Sequence, residues 1–457
     1  MKFQAGRLAM AVSAISFSLA TVAHAADSGQ HGFIEDQTLT LGLRNFYINT
    51  DNREGTANPS KNEEWGQGFM LNYASGFTQG TVGFGIDAVG MLGVRLDGGG
   101  RQGKSTAERQ PSASGSFPRE TDGSYVDEFS SLGLTAKAKI SQTELRYGTL
   151  SPKLPVVTIN DGRLLPQTFQ GGQIQSKEIQ NLTFTAGQLS KTKVRGSSSS
   201  DNLTISGASS RGADTNKFWY GGADYKLTKD LTLQYYYGNL QDFYKQHFLG
   251  LGHSVKLGEG TFKTDLRYFN SKDDGANGSD AFYDTTGYYG GTAPLRGKVD
   301  NQLYSALFTY VIGGHTIAAG YQGTSGDSDF PFINTGEGAA AYINTDAQIQ
   351  KFIHAGEDTW QVRYSYDFAT VGLAGLTAGV VYQQGNNIKS ARGDYSEWER
   401  DFTVTYAFQQ SALKGLSVSW KNAAFRSELP ATTTAGVPST RDQDENRIIL
   451  NYTLSLL

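Results

Sequence analysis

The 457-residue chain has no cysteine, only 10 prolines and 4 methionines, and no uninterrupted apolar run of eighteen residues. Each scarcity excludes something. Without cysteine there are no disulfide staples, thiolate metal sites or cysteine nucleophiles. Without a run long enough to cross a bilayer as a helix, a helical membrane protein is excluded. Charged residues are 18% of the chain and sum to a formal −4, which leaves no basic footprint for nucleic acid. Glycine (56), tyrosine (24) and phenylalanine (25) are abundant instead. That aromatic content is foreign to a disordered chain, and the glycines lack the three-residue period of collagen.

The first residues read as an export signal. Lys2 and Arg7 supply a positive start, Leu8 to Val22 is apolar or small, and Ala23-His24-Ala25 is a small-x-small cleavage site. Residues 1–25 are therefore expected to be a signal peptide and 26–457 a single domain, whose net charge falls to −6 once the two cations are removed.

The rest of the chain alternates with period two. Leu39, Leu41 and Leu43 share one face; so do Trp65, Phe69, Leu71, Tyr73 and Phe77, then Val82, Phe84, Ile86 and Ala88. Leu132, Leu134, Ala136, Ala138 and Ile140 oppose Lys137 and Lys139, and Leu145 and Tyr147 oppose Glu144 and Arg146. The pattern recurs to the last residues, where Ile448, Leu450, Tyr452, Leu454 and Leu456 are apolar. Short connections such as 228–230 and 258–260 alternate with long ones such as 90–129, 150–167, 190–216, 270–299 and 322–358. Short turns on one rim and long loops on the other, with aromatics at strand ends, predict an all-β transmembrane antiparallel barrel of about 18 strands. A soluble sandwich or solenoid would need a second apolar face. Here the opposite face reads as Gly, Ser, Thr, Asn, Lys and Arg, which line water rather than a dry core.

That inward face carries Arg44, Lys137, Lys139, Arg146, Lys263, Arg267, Arg363, Lys421 and Arg447. Lys137 and Lys139, two residues apart on one face, stand about 6.6 Å apart along the strand. Closure makes Lys421, Arg447 and Arg44 neighbours on three consecutive strands. Such a track concentrates anions in a narrow lumen while keeping each site weak enough for release. The plainer alternative is a set of lumen charges balanced by Asp87, Glu144 and Asp265. A wide barrel also needs constriction. The segment 150–167, with three prolines, the Asn160-Asp161-Gly162 turn and apolar Leu154, Val156 and Val157, is expected to fold inward and present Asp161 and Arg163. Residues 323–332, containing Ser325, Asp327 and Asp329, form a second candidate constriction loop.

Several stretches resemble the OprD family of substrate-specific outer-membrane porins, the Occ carboxylate channels. They are Leu132 to Pro155, the specific Asn160-Asp-Gly-Arg-Leu-Leu-Pro-Gln-Thr-Phe169, Ser325-Gly-Asp-Ser-Asp-Phe-Pro331, Trp398-Glu-Arg-Asp401 and Asp444-Glu-Asn-Arg447. The resemblance implies an eighteen-stranded barrel narrowed by inward loops, with a basic ladder that guides small carboxylates such as amino acids, peptides or aromatic acids. It places Lys137, Lys139, Lys421 and Arg400 on ladder positions. Two departures stand out. Ser419-Trp420-Lys421-Asn422 replaces the family's frequent Arg-Trp-Arg-Asn, and Arg400 shares parity with outward Phe402, so it needs a bulge or a place above the bilayer to reach the lumen.

Other motifs mislead. Gly98 to Ser105 matches the P-loop pattern, but Pro111, Ser112 and Gly115 follow where a helix would be required. Asp273-Asp274-Gly275 with Asn277-Gly278 lacks the glutamate that closes a calcium loop. The six histidines form no His-Glu-x-x-His pair, and no Gly-x-Ser-x-Gly elbow occurs. The expectation is a non-enzymatic channel with no cofactor or metal, giving passive uptake of small carboxylate solutes across a Gram-negative outer membrane. Its expected partners are membrane lipid and lipopolysaccharide, the transported solutes, and the barrel-assembly machinery through the C-terminal strand, with the chain a monomer or weak trimer. A general-diffusion porin and a barrel hydrolase are the alternatives.

Overall fold

A computed structural model describes residues 32–53, 61–98, 115–120, 124–205, 214–275, 298–333, 340–390, 393–410, 412–429 and 442–457. The expected signal peptide, the P-loop match beyond Gly98 and Asn277-Gly278 lie outside the described residues. Twenty strands follow in order: β1 (Thr38–Asn52), β2 (Lys61–Ala74), β3 (Gly83–Asp97), β4 (Glu128–Ile140), β5 (Thr143–Leu150), β6 (Lys153–Leu154), β7 (Val157–Thr158), β8 (Thr168–Ser176), β9 (Leu182–Lys193) and β10 (Phe218–Lys226). The second half holds β11 (Leu231–Leu240), β12 (Tyr244–Leu257), β13 (Gly260–Asp273), β14 (Asp300–Ile312), β15 (His315–Gly326), β16 (Asp358–Asp367), β17 (Leu376–Ser390), β18 (Gly393–Ala407), β19 (Ser417–Ser427) and β20 (Gln443–Ser455).

Apart from the two-residue strands β6 and β7, which form a small hairpin of their own, all belong to one 18-stranded sheet. Every pairing is antiparallel, and β20 returns to β1, with Arg44 opposite both Asn451 and Gly68. Among the described residues no edge of the 18-stranded sheet is left open, so each of its strands finds backbone partners on both sides, as an apolar bilayer requires. The alternation sets the faces. Leu132 and Tyr147 are 72% and 71% exposed on the outside, while Lys137, next on β4 to the Ala136 that faces Tyr147, is buried inside. Tight turns such as Gly313–Gly314, where Gly313 takes φ +55°, close one rim.

Two expectations need correction. Phe77 is not part of the outward stripe: β2 ends at Ala74, and the Phe77 ring lies 5.0 Å from the Lys137 ammonium and 5.6 Å from that of Lys139. The interior is also not uniformly polar. Phe46, Ile48, Met70, Met91 and Phe129 point inward from β1 to β4 and bury Leu164, Leu165 and Phe117. On another arc of the wall, Phe169, Phe218, Tyr236, Phe248 and Phe269 enclose Val156, Val157 and Phe330. The inward loops therefore dock on apolar patches inside the barrel, where removing their side chains from water holds them.

Candidate solute pathway

The inward loop between β5 and β8 is built locally. The β6–β7 hairpin turns at Pro155-Val156, and Asn160 Oδ1 accepts from the Gly162 amide at 2.9 Å. Gln167 returns its amide to the Asn160 carbonyl at 2.9 Å and anchors on Thr192 through Nε2 at 2.9 Å. The barrel wall makes room for this loop. A Cβ on Gly66 would lie 2.8 Å from Leu164 Cδ2, and one on Gly68 would lie 3.1 Å from the Leu164 carbonyl oxygen.

Around that turn, cations from distant strands converge. Arg44 Nη1 donates to Asp161 Oδ1 at 2.8 Å and to the Arg163 carbonyl at 2.7 Å, while its Nε donates to Asn451 at 3.1 Å. Arg447 donates to Glu445 at 2.5 Å, to the Gln348 carbonyl at 2.7 Å and to the Gly162 carbonyl at 3.5 Å, so it touches both inward loops. Lys421 lies directly across the ladder from Arg447, facing inward. Among the described residues its ammonium has no hydrogen-bond or ion-pair partner. Lower on the wall, Lys137 donates to Asp87 at 2.6 Å and to the Ser75 carbonyl at 2.7 Å, and Arg146 pairs with Glu144 at 2.5 Å. Lys139 is exposed to the lumen and, among the described residues, meets only the Phe77 ring. On the far wall, Arg363 is held by Gln361 at 2.7 Å and by the Asn344 carbonyl.

Counted from the strand ends at the short-turn rim, Arg447 stands eight residues above Ser455, Arg44 six above Thr38, Lys137 three above Ile140 and Lys139 one. The cations thus descend around the wall in strand order.

Other expected site residues stand elsewhere. Arg400 is not in the lumen: it is exposed on the outward face of β18 and donates to Asn422 Oδ1 at 2.7 Å. No bulge intervenes between it and Phe402, and each residue of β18 from Glu397 to Ala407 has a regular partner on β19. Parity consequently turns Glu397, Glu399 and Asp401 inward. Asp161 does not present a free charge, because Arg44 holds it; Arg163 lies 3.9 Å from Glu445. Ser325 sits exposed on β15 opposite Gln302 rather than at a constriction. Asp329 accepts from the Ala355 amide at 2.8 Å and contacts His354 Nδ1 at 3.2 Å, tying down its own segment. The Asp327 amide caps the Asp300 carbonyl at 2.9 Å.

Three contributors went unread in the sequence. Residues 340–357 form a second inward segment, whose Gln348, Ile349 and Gln350 amides donate to Asp401 and Glu399 at 3.0, 2.8 and 2.8 Å. Glu399 and Asp401 were readable from the parity that places Arg400 outside. Arg195, buried beside the Asn160 turn at 3.4 Å from Asn160 Oδ1, left no local signal.

A closed barrel of eighteen antiparallel strands, apolar outside and lined by cations around inward loops, defines an outer-membrane porin. The chain belongs to the OprD family: the model of "outer membrane porin, OprD family" matches residues 31–456. It is 34% identical to the porin-like protein GalP of Pseudomonas putida, over 93% of this chain and 94% of that one. It is 31% identical to Porin D of Pseudomonas aeruginosa, over 100% and 99% of the two chains. Among solved structures, OccK8 (OprE) of Pseudomonas aeruginosa superposes with a TM-score of 0.82 at 56% identity, covering 93% of this chain and 100% of its own. OpdK of the same organism, solved with vanillate, superposes at 0.78 with 32% identity, covering 93% and 100%. These relatives are channels, so the hydrolase alternative is set aside. The protein is a substrate-specific porin of a Gram-negative outer membrane.

Proposed function

We propose that this porin passes small carboxylate-bearing solutes down the lumenal cation track, and that Lys421 and Lys139 are the rungs that take the carboxylate. The observation that carries this reading is the inward Lys421 ammonium, unpaired among the described residues, beside Arg447 and two strands away from Arg44 on β1. A cation already saturated by a protein carboxylate gives up a partner to bind solute; an unpaired one does not. Arg44, Arg163 and Arg447 surround it, each already engaged with Asp161 or Glu445, so Lys421 is the rung among these four that gives up no carboxylate to take solute. Lys139, exposed near the short-turn rim, then receives the anion on its way out. Binding at separate, hydrated sites stays weak enough for passage. Vanillate in the OpdK structure, an aromatic carboxylate, is chemistry of the same kind.

Liposome swelling across a panel of carboxylates, their amides and neutral sugars tests the proposal. Lys421→Ala and Lys139→Ala should each slow carboxylates while leaving neutral sugars unchanged. Equal rates for acids and amides in the parent protein would sink the carboxylate reading and favour general diffusion.

A further inference from the structure

Beneath the segment 340–357, four neighbouring strands bring buried oxygens together. Glu357 immediately precedes β16, and its carbonyl accepts from the Thr324 amide of β15 at 2.9 Å. Thr359, two residues on, pairs with Gly385 of β17, and Gly385 pairs in turn with Glu397 of β18. Gly385 leaves a notch in that row: a Cβ there would collide with Glu357 Oε1 and meet Phe352 Cδ1 at 3.0 Å. The Glu357 carboxylate therefore fills the gap between Thr359 and Glu397. Just beyond Gly385, β17 bulges, the kind of irregularity that re-aims side chains beside a site. Gln383 stands two residues back along the same inward face.

Thr324, Glu357, Thr359, Gln383 and Glu397 are each at most 3% exposed. Among the described residues, Thr324 Oγ1, Glu357 Oε1, Thr359 Oγ1 and Gln383 Oε1 have no hydrogen-bond partner. Other atoms of these side chains are engaged. Glu357 Oε2 accepts from the His354 amide at 2.9 Å, Gln383 Nε2 donates to the Thr345 carbonyl at 3.4 Å, and Glu397 Oε2 accepts from Ser427 at 3.1 Å. Asp329, the next carboxylate, is held by the Ala355 amide and His354. What remains is oxygen alone, contributed by adjacent strands around the neighbouring Glu357 and Glu397 carboxylates.

We propose that these oxygens hold a divalent cation, calcium, which pins the segment 340–357 to the barrel wall. Burying two carboxylates side by side is strongly unfavourable unless a positive charge or a proton joins them. A proton bridges one pair of oxygens and leaves the threonine and glutamine acceptors as they are. Calcium takes ~6–8 oxygen ligands, carboxylates and side-chain carbonyls among them, in irregular geometry. Magnesium demands an octahedron and keeps several waters, which suits so enclosed a place less. The cation joins wall and loop: Glu357 closes the segment whose Gln348, Ile349 and Gln350 amides rest on Asp401 and Glu399. Its occupancy sets how firmly that side of the constriction is held, whichever solute passes.

Calcium chloride titrated by calorimetry at pH 8 into the porin, stripped with EDTA and held in phosphatidylcholine nanodiscs free of lipopolysaccharide, tests this. One calcium per chain should bind, in the ~10⁻⁴–10⁻³ M range of extracellular calcium modules. Glu357→Gln should weaken binding by about tenfold or more and Thr359→Val by less, while Asp51→Asn at the outer rim leaves it unchanged. Calcium should slow protease cleavage within 340–357 in the parent protein but not in Glu357→Gln, with the variant barrel still resistant to detergent. Terbium soaked into crystals should give an anomalous peak between Glu357 and Glu397. Absence of saturable calcium binding would overturn the proposal and leave a shared proton between the two carboxylates. Binding that Glu357→Gln leaves intact, or a terbium peak only elsewhere, would overturn it equally.

Discussion

Arg44 and Asp161, 117 residues apart, meet at 2.8 Å inside the barrel, and their ion pair fixes the turn that narrows it. Both side chains are nearly buried, at 5% and 10% exposure, so neither charge has solvent to fall back on. Removing one partner strands the other; such breaks cost about 3–5 kcal/mol. Asp161→Ala should free the 151–167 loop and raise single-channel conductance in planar bilayers, with the folded barrel still resistant to detergent. The double variant Arg44→Met/Asp161→Leu should lose less stability than the sum of the singles.

A Cβ on Gly68 would press on the Leu164 carbonyl oxygen at 3.1 Å, so the loop backbone would have to give by a few tenths of an ångström. Gly68→Val should displace the loop and widen the pore, whereas Gly90→Val, where a Cβ meets only Leu71 Cβ at 3.9 Å, should leave conductance unchanged.

Glu357 lies just outside β16, fully buried. Burial, reinforced by the nearby Glu397 charge, pushes its carboxyl well above the usual range. His354 and Asp329 face it from the neighbouring turn and segment, and its Oε2 accepts from the His354 amide at 2.9 Å. A raised carboxyl favours the folded loop in acid and loses that contribution as pH climbs through the shifted value. Open-channel noise and protease cleavage within 340–357 should therefore increase toward alkaline pH. Glu357→Gln should flatten that dependence; an unchanged profile would refute the assignment.

Lys421 and Arg400 give opposite expectations despite their common charge. Lys421→Glu, inside, should reverse the channel's preference between anions and cations in reversal-potential measurements. Removing a charge-assisted bond of about 1.5–3 kcal/mol predicts at least a tenfold loss of carboxylate affinity for Lys421→Ala. Arg400→Leu, outside, should leave selectivity alone.

Period-two contrast made strand number, outward faces and the inward Lys137, Lys139, Arg146 and Arg447 legible, because each polar residue there alternates with an aliphatic or aromatic one. The signal fades where both faces are apolar. Phe46, Tyr47 and Ile48 read as an unbroken run, though Phe46 and Ile48 point in and Tyr47 points out. Resemblance placed Arg400 in the lumen against its parity, and parity was the sounder guide. Arg195 and the anchoring of Gln348 on Asp401 depend on residues far apart in the chain, which no local pattern encodes.

The apolar docking of the loops within the barrel has a thermal consequence. Burial of Leu164, Leu165, Val156 and Val157 gives the constriction the heat-capacity signature of a small globular core, while the surrounding staves are held by backbone hydrogen bonds. Chilling weakens the first kind of cohesion more than the second. The aperture is thus a temperature-sensitive element seated in a rigid frame.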